Sequence, residues 1–488
     1  MHQRTIADMI GQHFFYHGTR RELDLTTPAI TTASSFASLD LPAALLDNLD
    51  SLGYQTMTPI QQQSLPQILA GHDVIARAKT GSGKTAAFAI GLILKLKQRD
   101  FGCQTLVLCP TRELATQVAL EIRRLARYQQ NIKVVTLCGG QPIGPQIGSL
   151  AHGAHVVVGT PGRVQDHLRK GTLSLARVNT LVLDEADRML DMGFIDAIEQ
   201  IISHLSGPRQ TLLFSATYPT GIQSLSERFQ HQPVTVTVEH THSHEQIEQR
   251  FYHAEAADKP AMLVRLLQHY HPQSTVIFCN TKQSCKEVAT GLYEAGYRPV
   301  VLHGDMEQKE RDQMLVRFAN QSATLLLATD VAARGLDIAN LSAVINYDLS
   351  RDPQVHVHRI GRTGRAGQKG LALSLHTRRE QYKLDGICDY LKTPLVFGDP
   401  ALLGGNKEPS LAPMVTLAID GGRKNKVRPG DILGALTGDA GIAGDQVGKI
   451  NIFDFVAYVA VRRESARSAL NRLERGKIKG RTFKVRRL

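Results

Sequence analysis

Short apolar runs recur along the chain and alternate with segments whose apolar positions repeat at helical spacing. One series of runs covers Asp73–Ala76, Thr105–Cys109, Val134–Cys138, His155–Gly159, Thr180–Leu183 and Thr211–Phe214. A second covers Thr275–Cys279, Pro299–Leu302, Thr324–Ala328, Ala343–Asn346 and Leu371–Ser374. Strands alternating with helices predict parallel α/β sheets, and two separate series predict two of them. A smaller unit follows: a strand Met414–Ile419, a helix opening at Pro429–Leu436, strands Lys449–Phe453 and Tyr458–Val461, a helix Glu464–Leu473 and a strand Thr482–Val485. That order is βαββαβ. The expected organisation is a first domain over 36–238, a polar link around Glu239–Glu248, a second domain over 246–395, a Gly- and Pro-containing linker over 396–410 and the small unit over 411–488. Residues 1–35 show no persuasive periodicity; they read as a poorly ordered extension or as residues before a later start.

The loop Ala78-Lys79-Thr80-Gly81-Ser82-Gly83-Lys84-Thr85 follows the first apolar run and opens a helical segment, so its free N–H groups and the helix N-terminus face one anion. A nucleotide's phosphate chain is the simplest such anion. Lys84 then neutralises the β and γ phosphates and Thr85 holds Mg2+ through its hydroxyl. Asp184-Glu185-Ala186-Asp187 ends the run Thr180–Leu183, which lets Asp184 hold the same ion, through water, while Glu185 orients the attacking water. Ala78 stands where glycine is usual, but Gly81 and Gly83 remain where the turn is tightest. A Gly-Lys-Thr triplet alone occurs by chance; strand, loop, helix and distal acidic box together specify a nucleoside triphosphatase.

Composition narrows the setting. The chain has 488 residues, 42% apolar and 21% charged, ample for two or three domains with real cores. Its six cysteines lie apart, without a C-x-x-C pair and mostly in apolar runs, which reads as a reduced, cytoplasmic protein. No apolar stretch approaches the ~20 residues of a membrane span, so neither membrane nor export is expected. The histidines of Glu239–Glu248 have no ligand spacing and read as polar linker, not a metal site. Of the net charge of +12, residues 411–488 carry +9, and the last fourteen residues hold seven basic side chains and no acid. A phosphate-binding surface at the C-terminal end is the stronger reading over solvated charge.

With these motifs in order, residues 36 to about 395 resemble a DEAD-box RNA helicase, whose fold is two RecA-like domains in tandem. The resemblance implies that Phe36 stacks on adenine and that Gln61, in Thr58-Pro59-Ile60-Gln61, reads it; a carboxamide complements N6 and N7, so ATP is the expected nucleotide. It implies that Ser215-Ala216-Thr217 couples hydrolysis to strand separation through hydrogen bonds to the acidic box, with Asp187 and His358 as coupling residues. Within His358-Arg359-Ile360-Gly361-Arg362-Thr363-Gly364-Arg365, Arg362 and Arg365 lie three apart and are expected as arginine fingers from the second lobe. Asp337 resembles a ribose contact. RNA contacts carry over onto Thr111, Arg112, Gly139, Gly140, Thr160, Gly162 and Arg163 in the first lobe and Thr329 in the second. Backbone N–H groups, hydroxyls and guanidinium groups suit phosphates and carry no base information. Taken singly, each short motif is an ordinary turn.

The small unit resembles the RNA-recognition-motif-like domain of the DbpA type within this family, through Ile419–Lys426, Arg428–Gly438 and Gly476–Arg481. The resemblance implies binding to a hairpin of 23S ribosomal RNA near the peptidyl-transferase centre and a role in assembly of the large (50S) subunit, by a protein expected to be a monomer. Arg423, Lys424 and Lys426, with Lys477, Lys479 and Arg481, are the expected contacts. Tyr458, Phe453 and Phe455 are the aromatics near the central strands, and packing in the core outweighs stacking on bases as their reading. Two classes of function follow: an enzyme that unwinds short rRNA helices locally, or an ATP-gated clamp recruited by its third domain. Intact Glu185, Arg362 and Arg365 favour the enzyme. DNA translocation is a weaker rival, opposed by the adenine-reading motif and the acidic box.

Overall fold

The structure is a computed structural model that describes residues 35–78, 81–205, 207–218, 220–238, 247–333, 341–364, 369–404, 408–438 and 441–488. The first lobe is a seven-stranded parallel sheet of β1 (Val74–Arg77), β2 (Thr105–Leu108), β3 (Val134–Leu137), β4 (Val156–Gly159), β5 (Thr180–Asp184), β6 (Gln210–Ser215) and β7 (Val234–Thr237). Their order is β3-β4-β2-β5-β6-β1-β7. The central strands β2, β4, β5 and β6 are buried along their whole length because helices cover both faces, which explains their unbroken apolar runs. The second lobe is a six-stranded parallel sheet of β8 (Ile247–His253), β9 (Thr275–Phe278), β10 (Val300–Leu302), β11 (Leu325–Ala328), β12 (Ala343–Asn346) and β13 (Gly370–His376), ordered β10-β11-β9-β12-β13-β8.

β7 and β8 have no counterpart among the runs read from sequence. Both are edge strands with partly exposed side chains, so neither carries the continuous apolar signature. The link placed over Glu239–Glu248 is shortened accordingly, since Ile247 and Glu248 already pair with Gly370 and Leu371. Its histidines lie outside the described residues, as does the extension before Ser35.

The helix Lys84–Leu94 is buried at nine of its eleven positions because it lies between the sheet and the helix Pro59–Leu69. Gly91 allows the close approach: a Cβ there would stand 2.2 Å from a methyl of Ile68. Buried Asp73 fixes the start of the strand that leads into the phosphate-type loop. Its two carboxylate oxygens accept from the N–H groups of Thr211 and His231, both at 2.7 Å, tying β1 to β6 and to the segment entering β7.

The third unit is an antiparallel sheet of β14 (Met414–Ile419), β15 (Val447–Ile452), β16 (Ala457–Arg462) and β17 (Val485–Arg487), ordered β15-β16-β14-β17, with helices Pro429–Thr437 and Ala466–Arg475 on one side. The order is the expected βαββαβ. The last strand starts later than the sequence suggests, because the ladder with β14 begins only where Val485 meets Ile419. The other sheet face sits on the second lobe: Ala418 and Tyr458 pack with Val316 of the helix Gln308–Ala319. Beside them Asn320 Nδ2 donates to Thr416 Oγ1 at 2.8 Å.

Replacing Asp73 by alanine orphans two backbone donors, a loss of about 2–4 kcal/mol. The expected outcome is a lower denaturant midpoint for the first unfolding transition of the full chain, followed by circular dichroism, with the third unit's transition unmoved.

Candidate functional site

The sheet order β5-β6-β1 places three chain segments side by side at the carboxyl edge of the first lobe, where open α/β sheets gather their ligand-binding loops. The loop after β1 begins with Ala78, whose N–H donates to the Ser215 carbonyl at 3.0 Å. Gly81 and Gly83 have φ of 82° and 92°, a backbone region that favours glycine. Lys84 is buried and its Nζ donates to the Ala78 carbonyl, closing the loop into a ring. Lys79 and Thr80 lie outside the described residues. Gln61 reaches the loop: its Nε2 donates to the Gly83 carbonyl at 3.1 Å while its Oε1 accepts from the Thr58 N–H at 2.8 Å. Phe36 is only 3% exposed and edge-on to Tyr54 in the core, so little of its ring is free to meet a base.

Asp184 ends β5 and is 2% exposed. Burial pushes its carboxyl up to about 7, against the pull of Lys84 and with a further push from Glu185. A buried carboxylate such as Asp184 suits a hard divalent cation, whose charge would offset that desolvation. Among the described residues no three His, Cys, Asp or Glu form a cage for a metal. Glu185 adopts φ 53° and ψ 52°, the left-handed region, at the entry to the helix Ala186–Asp191. Such strain in a non-glycine residue is characteristic of functional sites. Asp187 joins β5 to β6: its Oδ2 accepts from the N–H of Ala216 at 3.2 Å and from the N–H and Oγ1 of Thr217, both at 2.9 Å. Ser215 Oγ donates to the Thr217 carbonyl at 2.6 Å.

The two lobes meet over this edge. The Arg188 guanidinium donates to His358 Nδ1 across the cleft. His358 is held neutral, its imidazole pushed down to about 3 by burial and then by Arg188. Arg188 and, from the second lobe, Asp330, His358, Arg359 and Arg362 line one depression. Arg359, given no role by the sequence, is the pin of this segment. It grips Asp330 with two bonds of 2.7 Å and donates to the Asp348 carbonyl at 2.6 Å and to Asn280 Oδ1 at 3.0 Å. Arg365 and Asp337 lie outside the described residues. A second cross-lobe contact, also absent from the sequence reading, pairs Arg311 Nη2 with Glu113 Oε1 at 3.2 Å, both side chains nearly buried. Charge alone cannot identify such a pair at that separation in the chain.

The candidate RNA residues of the first lobe cluster. Thr111 caps the helix Arg112–Leu125, and the Arg112 guanidinium donates to the Gly139 carbonyl. A Cβ on Gly140 would collide with that guanidinium at 1.5 Å. Thr160 precedes the helix Pro161–Arg169, whose Arg163 donates to the Gln141 carbonyl at 3.0 Å, bringing Gly162 onto the same edge. Thr329 follows β11 in the second lobe. In the third unit Lys479 Nζ donates to the Lys426 carbonyl at 3.2 Å, joining the turn Arg423–Lys426 to the final basic run that continues through exposed Arg481. Lys477 instead lines a separate depression with Arg475. All six cysteines are free, and no described helix is long and apolar enough to cross a membrane.

Residues 58–225 match the family described as DEAD/DEAH box helicase, 258–367 the helicase conserved C-terminal domain, and 416–487 the DbpA RNA binding domain. The ATP-dependent RNA helicase DbpA of Escherichia coli (strain K12) is 54% identical over 93% of this chain and 99% of its own length. The DEAD-box ATP-dependent RNA helicase CshA of Geobacillus kaustophilus is 43% identical over 72% of this chain and 76% of its own. Among solved structures, S. cerevisiae Dbp5 bound to RNA and ADP BeF3 superposes with a TM-score of 0.69 at 30% identity, covering 75% of this chain and 96% of that one. With its two parallel-sheet lobes and antiparallel RNA-binding domain, the chain belongs to the DEAD-box ATP-dependent RNA helicases of the DbpA type.

Proposed function

We propose that this helicase uses ATP and Mg2+ to close its lobes on RNA and unwind short duplexes locally, and that its third domain targets it to a 23S rRNA hairpin near the peptidyl-transferase centre during large-subunit assembly. The observation that carries the first half is the cross-lobe contact of Arg188 with His358, which brings the Arg362 segment over the acidic box. Lys84 and the loop N–H groups hold the phosphates, Gln61 reads the adenine, Glu185 orients the attacking water, and Arg362 meets transition-state charge only after closure. Thr85 and Asp184 would hold Mg2+, which supplies charge neutralisation on the phosphates. Asp187, Ser215 and Thr217 pass the state of the nucleotide to the RNA-facing edge formed by Thr111, Arg112, Gly139, Gly140, Thr160, Gly162 and Arg163. Hydrolysis that depends on both lobes favours an enzyme over a passive clamp. The targeting half is supported by the match of residues 416–487 to the DbpA RNA binding domain and by the exposed turn Arg423–Lys426. A cytoplasmic site of action follows from that RNA partner.

Three outcomes test this reading. ATPase stimulated by an rRNA fragment carrying the hairpin should exceed that with unrelated RNA of equal length at moderate salt; alanine at Arg423, Lys424 and Lys426 should remove the difference and leave the rate at saturating generic RNA intact.

Arg311→Ala leaves Glu113 unpaired in the closed state only. Breaking a nearly buried pair costs about 3–5 kcal/mol, so the RNA concentration for half-maximal ATPase should rise at least about a hundredfold. ATP affinity without RNA should stay within about twofold.

His358 must be neutral to accept from Arg188, and in the open state its imidazole returns to about 6.5. The closed state is therefore at full strength above about pH 6.5 and weakens as pH falls toward 3, by up to about tenfold per unit. RNA-stimulated ATPase should fall between pH 7 and 5.5, and His358→Gln should flatten that slope.

A further inference from the structure

The turn Asp454-Phe455 joins β15 to β16 and is closed by the Phe453 N–H, which donates to the Val456 carbonyl at 2.8 Å. The two phenylalanines beside Asp454 have opposite surroundings. Phe453 lies edge-on to buried Tyr458, ring centroids 5.5 Å apart, in the apolar patch that meets Val316 of the second lobe. Phe455 is 71% exposed. A phenylalanine left in water forgoes about 1.5–3 kcal/mol of burial, and a turn of this kind is served equally well by Gly, Asn or Asp. Nothing in the folding of the turn calls for the ring.

The neighbours of Phe455 are cationic. The N–H groups of Arg423 and Lys424 donate to the carbonyls of Phe453 and Asp454, both at 2.9 Å, so the basic turn lies directly against the aromatic one. Arg423 is steadied there by Asp454 Oδ1 at 3.0 Å while two-thirds of its side chain stays exposed. Lys479 donates to the Lys426 carbonyl and extends the positive rim.

We infer that Phe455 is a base-stacking residue: an unpaired base of the RNA held by the third domain lies on its ring, with the adjoining phosphates on Arg423 and Lys424. A nucleotide offers a flat π face and a negative backbone within one residue's length, the pair of features that this ring and its rim match. An apolar protein partner would bury the ring but leave the cations unanswered. The inference rests on the reading of the third domain as the hairpin-binding unit and names the residue that recognises a splayed base.

The chain contains no tryptophan, so Phe455→Trp installs a single indole reporter at the turn. In the full-length protein, titration with an rRNA fragment carrying the hairpin should quench that fluorescence, and an unrelated duplex of equal length should not. Phe455→Ala should bind the fragment roughly 5- to 150-fold more weakly, with affinity restored by Phe455→Trp and ATPase at saturating single-stranded RNA unchanged in both. Because Phe455 is exposed, neither change disturbs the core. An unquenched indole, or an alanine variant that binds the fragment as tightly as the parent, overturns the stacking role even where the parent's preference for the hairpin upholds the targeting reading. A parent protein that binds fragment and unrelated single strands alike overturns the targeting reading instead; equal quenching by both, with equal loss in Phe455→Ala, supports stacking as a sequence-independent contact.

Discussion

The Asp187 carboxylate, shared by three donors of the turn Ser215–Thr217, is the contact on which the cleft of the first lobe depends. The turn it holds also accepts from Ala78, the first residue of the phosphate-type loop, and that loop is closed on itself by Lys84. One residue beyond Asp187 stands Arg188, the donor to His358 of the other lobe. Loop, turn, acidic box and second lobe thus form an unbroken run of hydrogen bonds. Its direct links exist because β5, β6 and β1 are neighbours in the sheet; a strand inserted between them would separate the three segments by about 4.8 Å per added strand. The strand order is therefore a condition of the chemistry, and the buried runs that fix this order serve the site although none touches a ligand.

The second lobe meets this edge with a segment that must be rigid to be useful. Arg359 supplies the rigidity. Five donors on a planar fork let one buried side chain hold Asp330, Asn280 and the Asp348 carbonyl together, a task the compact ammonium of lysine cannot perform. Anchored in this way, the helix Pro353–Ile360 fixes the start of the segment that carries Arg362 into the depression beside Arg188. The cost is a buried guanidinium, and the bidentate carboxylate of Asp330 offsets it.

Much of this was legible in the sequence, and the part that was not has a common cause. Runs such as Val156–Gly159 announce buried parallel strands because helices cover both their faces. The edge strands β7 and β8 do not, since a half-exposed strand with Thr, Glu, Gln and Arg on its open face resembles a loop. Short-range motifs named the loop, the acidic box and the turn at Ser215. The contacts that sequence could not show are those between residues far apart in the chain: Arg311 with Glu113, Arg188 with His358, Asn320 with Thr416. Each is an ordinary surface residue until the fold pairs it. Phe36, named by resemblance, shows the converse, for its burial is decided by side chains that a motif does not list.

The third domain turns one limitation into a consequence. Its β16 offers only Tyr458 as an aromatic on a central strand, and that ring is 1% exposed, spent on packing against Val316. A sheet face that seats on the second lobe is not open for stacking bases, whereas the turns after β14 and β15 lie against each other at the exposed rim of the sheet. That rim is where the cations and the one strongly exposed ring of the β15–β16 connection occur together. Seating the sheet also removes the freedom of a tethered module: the rim is held at a set orientation to the cleft, and the entropy of ordering the domain is met by intramolecular packing.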